Sequence, residues 1–362
     1  MRQGEEGCKR YIISNSENIF SVLFVYGLFR WCGWDRGNIT FDIVPLFETM
    51  KGMDTAEATM QSLFDIPDYS SHLEQRGNKQ TMMLGFSDGT KDGGYLKANW
   101  SILKTKEVLS KVCFNNGIDA IFFDGRGGPP ARGGGKTHRF YAAQTKDIAN
   151  NEIQLTIQGQ TITSTYGTKE QFMHNSEQLL TAGLSNNLFG KENTISKESR
   201  ELMEELSDLS FAKYNALKQH EMFISYLENR STLKYYTKAN IGSRPGKRGQ
   251  KAKLELTDLR AISFVGSWSQ LKQNVPGYFG IGTAIKELVD EGKLKELKKL
   301  YKEVPFFEAL MNNSMMSLSK CYFELTSYMK DDEEYGDFWN ILHNEYLLSK
   351  EMLLLISDSK FL

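Results

Sequence analysis

The chain has 362 residues, of which 40% are hydrophobic, and its 44 Lys and Arg against 45 Asp and Glu give a formal net charge of -1. This composition is typical of a globular protein with one large or two ordinary domains, and it excludes a disordered tail or a fibrous repeat. An almost neutral chain has no overall field to attract nucleic acid or an anionic membrane, so neither is predicted as a partner.

Membrane insertion and export are also not expected from the sequence. The most apolar stretch, residues 19–29, is about half as long as a membrane-spanning helix, and the first residues lack the basic region of a signal peptide. The four cysteines lie far apart with no Cys-x-x-Cys pair, which predicts neither a zinc site nor a disulfide framework. We therefore expect a cytoplasmic location, where thiols stay reduced.

The first part of the chain alternates between strand-like and helix-like patterns. Helices are predicted at residues 17–32, closed by Gly33, at 56–64, and from Tyr95 to a stop at Gly117. Such alternation is typical of βαβ units and predicts a parallel sheet. The predicted strands cover residues 11–14, 41–47, 81–86, 119–123 and 153–157.

The second part of the chain is predicted to be almost entirely helical. We expect a sheet-forming unit at 1–165 and a helical region at 166–362, interrupted by a mobile cationic loop at 242–253. Two architectures remain open: an open doubly wound sheet with a helical domain, or half of an eight-stranded TIM-type barrel. Helices are predicted at residues 170–187, 198–228, 280–291, 293–302, 306–329 and 334–356.

Two carboxylates follow successive predicted strands. Glu48 comes after the second strand and Asp88 after the third, with Lys91 close behind. Because ligands bind beyond the carboxyl ends of parallel strands, both carboxylates could hold one Mg²⁺ or Mn²⁺. The alternative is that each one caps the helix that follows it.

The glycine-rich loop at residues 125–138 follows the fourth predicted strand. It ends in Gly-Gly-Lys-Thr-His, but Pro130 stands where both a phosphate-binding loop and a dinucleotide fingerprint need glycine. What remains is Arg126 and Arg132, each followed by two glycines, and such a segment predicts an anion site. The alternatives are a merely solvated loop and, for His138 at its end, a helix-start residue.

The segment 242–253 carries five cations within ten residues. It has no interleaved aromatic residues for base stacking, so a nucleic-acid patch is disfavoured. A mobile lid over a phosphorylated substrate and a simple solvated loop both remain open.

Taken in order, these motifs resemble the carboxyl-terminal half of the phosphoenolpyruvate carboxylase family. The resemblance runs from about Tyr11 to the end of the chain. It implies the half-barrel and a reaction of phosphoenolpyruvate with bicarbonate, aided by Mg²⁺ or Mn²⁺, that gives oxaloacetate and phosphate. The motifs are Val-Pro-Leu-Phe-Glu-Thr at 44–49, Gly-Phe-Ser-Asp at 85–88 with Lys-Asp at 91–92, Gly-Arg-Gly-Gly at 125–128 with Arg-Gly-Gly at 132–134, Gln-Gly at 158–159, Gly-Ser-Arg-Pro at 242–245 with Lys-Arg at 247–248, Leu-Arg-Ala-Ile at 259–262 and Trp-Ser-Gln at 268–270.

The resemblance also implies roles for individual residues. Glu48 and Asp88 correspond to the metal carboxylates, and Lys91 lies beside the metal. Arg132 resembles the loop arginine that serves catalysis and is captured by the inhibitor aspartate in regulated members, and Lys320 matches another aspartate-binding cation. The cations that resemble those holding the substrate are Arg126, Arg244 and Arg260.

Several departures from the family pattern bear on activity. Asp124 stands where the family usually has histidine, and it would repel bicarbonate unless Arg126 or Arg132 pairs with it. The amino-terminal half of the family, with its catalytic histidine motif, has no counterpart here, so we expect a fragment that is inactive alone and tetrameric only when the chain is whole. The alternative is a diverged, free-standing half that binds phosphorylated metabolites or a partner chain without catalysis.

Overall fold

A computed structural model describes residues 5–188, 193–236 and 255–360. Its five strands form one sheet in which every adjacent pair is parallel, which confirms the predicted βαβ units. The predicted strand positions are correct to within a few residues. The strands are β1 (Arg10–Ile13), β2 (Asp42–Phe47), β3 (Lys79–Gly85), β4 (Asp119–Gly125) and β5 (Ile153–Leu155).

The strand order in the sheet is the order in the chain, β1-β2-β3-β4-β5. A doubly wound sheet reverses its strand order at a switch point, and the described strands have no such reversal. The first of the two predicted architectures is therefore not observed. The established fold class is a helix-rich α/β protein with a parallel five-stranded sheet.

Helices occupy most of the remaining described chain. The structure adds α-helices outside the predicted ranges, at Glu5–Cys8, Pro67–Gln75, Phe86–Gly93, Thr137–Ala142, Gln160–Tyr166, Leu233–Tyr236 and Ala261–Gln270. It also ends the predicted helices 198–228 and 306–329 early. A separate α-helix follows the first of these two and a 3₁₀ turn follows the second. The α-helices are α1 (Glu5–Cys8), α2 (Ile19–Trp31), α3 (Met50–Phe64), α4 (Pro67–Gln75), α5 (Phe86–Gly93), α6 (Tyr95–Asn115), α7 (Thr137–Ala142), α8 (Gln160–Tyr166), α9 (Lys169–Leu188), α10 (Lys197–Gln219), α11 (Met222–Arg230), α12 (Leu233–Tyr236), α13 (Ala261–Gln270), α14 (Ile281–Asp290), α15 (Leu294–Glu303), α16 (Pro305–Ser319) and α17 (Gly336–Ser357), with 3₁₀ turns at Pro130–Arg132, Leu256–Asp258, Val275–Gly277 and Phe323–Met329.

Helix ends follow local chemistry. Asn18 caps α2 by accepting a hydrogen bond from the Phe20 amide, and Gly33, with φ +91°, follows its last turn as predicted. Two breaks that the sequence analysis missed lie at His220, which is extended with ψ 133°, and at Tyr322. Within the described residues, no helix is both long and apolar enough to cross a bilayer.

Side chains alternate between the two faces of the sheet, and helices cover one of them. Met82, Leu84 and Phe122 lie on that covered face and are almost completely buried. The largest hydrophobic cluster joins this face to side chains of α14, α16 and α17, so both parts of the described chain share a core. On the opposite face, Met83 and Phe123 are neighbours near the carboxyl ends of their strands and are partly exposed.

The two edges of the sheet differ from its middle. Among the described strands, β1 and β5 each pair with a single neighbour, and apolar side chains beside them are exposed. Trp31 is 87% exposed and Phe24 is 72% exposed on one face of α2, while Leu180 on α9 is 65% exposed. The exposed apolar side chains at the β1 edge are Tyr11, Ile12, Phe20, Phe24, Leu28 and Trp31, and those at the β5 edge are Ile157, Ile162, Phe172, Met173, Leu180 and Leu184.

Candidate active site

The short helix α5 lies at the centre of the predicted site. It begins directly after β3, because Gly85 both ends the strand and precedes the first helical residue. A side chain at Gly85 would lie 2.4 Å from Glu48 Cβ, so glycine is required for the close approach of the β2 and β3 ends. The end of β2 that carries Glu48 therefore lies against the start of α5.

Glu48 does not cap the helix that follows it. The cap of α3 is Thr49, whose hydroxyl accepts a hydrogen bond from the Gly52 amide at 2.9 Å. The Glu48 side chain is buried, and its Oε1 accepts the Asn15 amide hydrogen at 3.0 Å. This contact ties the carboxylate to the segment that follows β1.

Asp88 lies in the first turn of α5, close to Arg132 of the glycine-rich loop. Arg132 donates from Nε to Ser87 Oγ at 3.2 Å and from Nη2 to Gln158 Oε1 at 2.5 Å. Burial lowers the pKa of Arg132, whereas the negative charge of Asp88 raises it. The structure therefore brings Asp88 and Arg132 together at the start of α5.

The other end of α5 collects further cations. Lys91 Nζ donates to the Leu259 carbonyl oxygen at 2.7 Å, which places the lysine beside Arg260, the residue that precedes α13. Lys218 of α10, which the sequence analysis missed, donates to the Asp92 carbonyl oxygen. Burial lowers the pKa of Lys218, the negative charge of Asp92 raises it, and the positive charge of Lys91 lowers it. Lysines and carboxylates therefore lie side by side around α5.

The Arg126 side chain contacts a different set of residues from Arg132. Its guanidinium lies 4.1 Å from the ring centre of Phe140 and 5.5 Å from that of Phe86, in a side chain only 4% exposed. Its Nη1 has no hydrogen-bond partner among the described residues. A cation held over aromatic faces in this way is stabilised by them, and the Nη1 group is left to donate a hydrogen bond to an anion.

Arg126 also lines a cleft of about 380 Å³ between the glycine-rich loop and α9. Lys136, His138 and His174 line the same cleft. The pKa of His138 is lowered, first by burial and then by the positive charges of Arg139, Lys136 and His174. The cleft therefore disfavours additional protons and favours an anion.

Lys320 follows the last residue of α16 and lines a small cavity of about 20 Å³ with the turn that contains Pro130 and Ala131. This places the lysine near the turn that ends at Arg132, and its aspartate-binding role stays a prediction. Arg244 and the whole of the 242–253 loop lie outside the described residues, so the lid hypothesis is untested.

Asp124 has a partner that the sequence analysis did not name. Its Oδ2 accepts hydrogen bonds from Lys106 Nζ at 2.8 Å and from the Tyr141 hydroxyl at 2.7 Å. These donors are Lys106 and Tyr141, not Arg126 or Arg132 as expected. Asp124 lies on the helix-covered face of β4, because its neighbours in register are Leu84 and Leu155.

A divalent ion at Glu48 and Asp88 agrees with their chemistry. Among the described residues, no group of three or more His, Cys, Asp or Glu side chains could enclose a metal. Mg²⁺ is commonly held by only one or two carboxylates and keeps several waters, so two carboxylates that follow neighbouring strands fit it. The joint contact of Glu48 and Asp88 with one ion stays a prediction.

The fold and this site define a class: a helix-rich α/β protein with carboxylates and arginines beyond the carboxyl ends of successive parallel strands. The sequence matches the family described as phosphoenolpyruvate carboxylase over residues 1–362, and the chain belongs to that family. It is 35% identical over 364 residues to a phosphoenolpyruvate carboxylase of Corynebacterium glutamicum and 35% identical over 365 residues to one of Corynebacterium efficiens. Each match covers 96% of this chain but only 39% and 40%, respectively, of the relative.

Proposed function

We propose that this chain supplies the carboxyl-terminal part of a phosphoenolpyruvate carboxylase, forming half of its barrel. The observation that carries the proposal is the sheet of five parallel strands in sequential order, with the predicted carboxylates and arginines near the carboxyl ends of its middle strands. Sequential parallel order is the order of a β/α barrel, and barrel active sites lie at that end.

The edges of the sheet support the barrel in a second way. An edge strand has unpaired backbone N–H and C=O groups that can pair with another strand, and exposed apolar side chains beside it favour burial against a further element. Such surfaces occur here at both ends of one sheet, beside β1 and beside β5. A single further set of strands would cover both at once, as the closure of a barrel requires.

In the proposed reaction, bicarbonate attacks the phosphoryl group of phosphoenolpyruvate and gives carboxyphosphate and the enolate of pyruvate. Carboxyphosphate releases CO₂ and phosphate, and the enolate carbon then captures the CO₂ to give oxaloacetate. A Mg²⁺ or Mn²⁺ ion bound by Glu48 and Asp88 would supply stabilisation of negative charge on the substrate oxygens.

The protein's own residues would bind and orient the anions. Arg126 presents a planar fork that is buried and preorganised, which suits a phosphoryl group or a carboxylate. Arg132, held by Ser87 and Gln158, is fixed beside Asp88, and Lys91 is fixed by the Leu259 carbonyl oxygen at the other end of α5. Because these groups are held before substrate arrives, little reorganisation is needed in the transition state.

We propose that the isolated chain does not carboxylate phosphoenolpyruvate at a useful rate. The histidine motif that the family resemblance places on the other half is missing, and the site of an open half-barrel would admit water. Water would protonate the enolate and dilute CO₂, so the product would be pyruvate. The partner that completes the enzyme is the amino-terminal half, and the whole chain would assemble into the family's tetramer.

The test is oxaloacetate formation, coupled to malate dehydrogenase, for the chain alone and after mixing with a separately produced amino-terminal half. We expect activity only in the mixture, and its loss with Asp88→Asn in this chain. Full activity of the chain alone would refute the half-barrel. Binding of phosphoenolpyruvate without activity in either sample would favour the non-catalytic alternative.

A further inference from the structure

A buried ion pair lies directly beneath the first residues of the glycine-rich loop. Lys106 of α6 and Asp124 of β4 are joined at 2.8 Å, and their side chains are 2% and 0% exposed. Lys106 also lies 5.4 Å from the ring centre of Phe122 and 5.7 Å from that of Phe140. These aromatic surroundings exclude water, so each charge depends on the other.

Burial lowers the pKa of Lys106, and the neighbouring charge of Asp124 opposes that shift. The pair carries no net charge whether the proton lies on the amine or on the carboxyl group. Removing one partner would leave an uncompensated buried charge, whereas removing both would leave none. The two residues are therefore expected to behave as a unit.

The pair is connected to the loop by backbone and side-chain contacts. The Asp124 carbonyl oxygen accepts the Arg126 amide at 2.9 Å and the Thr156 amide at 3.1 Å. The Thr156 hydroxyl in turn donates to the Arg126 carbonyl oxygen at 2.7 Å. The Arg126 backbone is thus fixed between the end of β4 and the segment after β5.

Tyr141 extends the connection to the guanidinium. Its hydroxyl donates to Asp124 Oδ2, and its pKa is raised by burial and by Asp124 but lowered by Arg126. The guanidinium of Arg126 lies 5.8 Å from the Tyr141 ring centre. A continuous series of contacts therefore runs from Lys106 through Asp124 and Tyr141 to Arg126.

We propose that Lys106 and Asp124 are a paired positioning device that holds Arg126 at the cleft, with Tyr141 linking the pair to the guanidinium. Asp124 occupies the position where the family usually has histidine. It acts by holding Arg126 in place and does not itself contact a ligand. What Arg126 binds rests on the proposed function, but its positioning does not.

The experiment compares Lys106→Met, Asp124→Asn and the double variant in the full 362-residue chain without ligand. The matched control is Lys104→Met, which removes a neighbouring α6 lysine whose ion pair with Glu204 is 38% exposed on both sides. Hydrogen exchange by mass spectrometry is read for the loop segment 126–135 and for α17, which lies outside the network. A second readout is the modification rate of Arg126 by phenylglyoxal.

We expect both single variants to raise exchange in the loop and modification of Arg126 by about tenfold or more, with α17 unchanged, and the double variant to restore most of the difference. Equal increases in the loop and α17, or no increase in either, would overturn the proposal. So would a double variant in which the two effects simply add. If the single variants do not fold, Tyr141→Phe removes only one hydroxyl and must raise loop exchange selectively.

Discussion

The middle and the edges of the sheet carry similar apolar side chains, but those in the middle are buried and those at the edges are exposed. Phe47 on β2 and Met82 on β3 are completely buried, whereas Phe24 and Trp31 beside β1 are largely exposed. This chain's own helices bury the side chains in the middle of the sheet. The difference supports the proposal that another part of a longer protein covers the edges, and the chain spans only 39% and 40% of the two relatives.

The largest expected effect contrasts two phenylalanines. Phe47→Ala leaves a cavity in the covered middle and should lower the free energy of unfolding by about 3–5 kcal/mol. Phe24→Ala should change it by no more than about 0.5 kcal/mol, because the ring is exposed in the isolated chain. Urea unfolding measures both. Equal losses would show that the β1 edge is already covered.

The second effect is the pH dependence of stability, which arises from the helices that cover the middle of the sheet. His72 on α4 is buried against Tyr26 and Tyr69, and burial lowers its pKa from 6.5 to about 4. As the pH falls below 6.5 the unfolded chain takes up this proton before the folded chain does, so stability is lost. The loss should approach about 3 kcal/mol at pH 4.

The measurement for His72 is thermal unfolding between pH 7 and pH 4, compared with His72→Gln. The variant should lack this component of the pH dependence. An unchanged slope in His72→Gln would mean that the imidazole is not desolvated in the folded chain.

The third effect tests the metal at the carboxyl ends of the middle strands. Asp88→Asn removes a predicted ligand charge and should weaken Mn²⁺ binding by about tenfold or more. The control is Asp92→Asn on the same helix. The Asp92 carboxylate accepts a hydrogen bond from the Met50 backbone N–H at 2.8 Å, and the side-chain oxygen of asparagine can still accept it. Paramagnetic relaxation of water reports the affinity, and equal affinities in the two variants would contradict the site.

The smallest effect concerns the shape of one cation. Arg126→Lys keeps the charge but loses the planar fork, so phosphoenolpyruvate binding should weaken by about tenfold or less. Arg76→Lys is the control, since Arg76 pairs with Asp42 at the amino-terminal end of the same sheet. Calorimetric titration in Mg²⁺ would distinguish them. Unchanged affinity in Arg126→Lys would show that the fork is not used.

Sequence periodicity was sufficient for the strands because their apolar runs are short and bounded by turn residues. It missed α4, which offers only Tyr69, His72 and Leu73 as buried residues, and α5, whose glycines are typical of a loop. α5 is a helix because its buried residues pack against α6 and α13, which is a tertiary effect. No local pattern encodes such packing.

The site was predicted in part. Glu48, Asp88, Lys91 and Arg132 were named from strand ends and motifs, and the structure gathers them around α5. The alternation of side chains along a strand places Asp124 on one face of β4, but it does not tell which face the helices cover. Lys106, eighteen residues earlier on α6, could not be recognised as its partner, because an isolated lysine on a helix is usually solvated.

Hydrogen exchange at the two edge strands tests the central claim most directly. Backbone exchange of Arg10–Ile13 and Ile153–Leu155 is measured in the chain alone and after mixing with the amino-terminal half. Closure of a barrel predicts that both edges become protected together, while the middle strands β3 and β4 are unchanged. Exchange that stays the same at both edges in a mixture that binds would contradict the half-barrel.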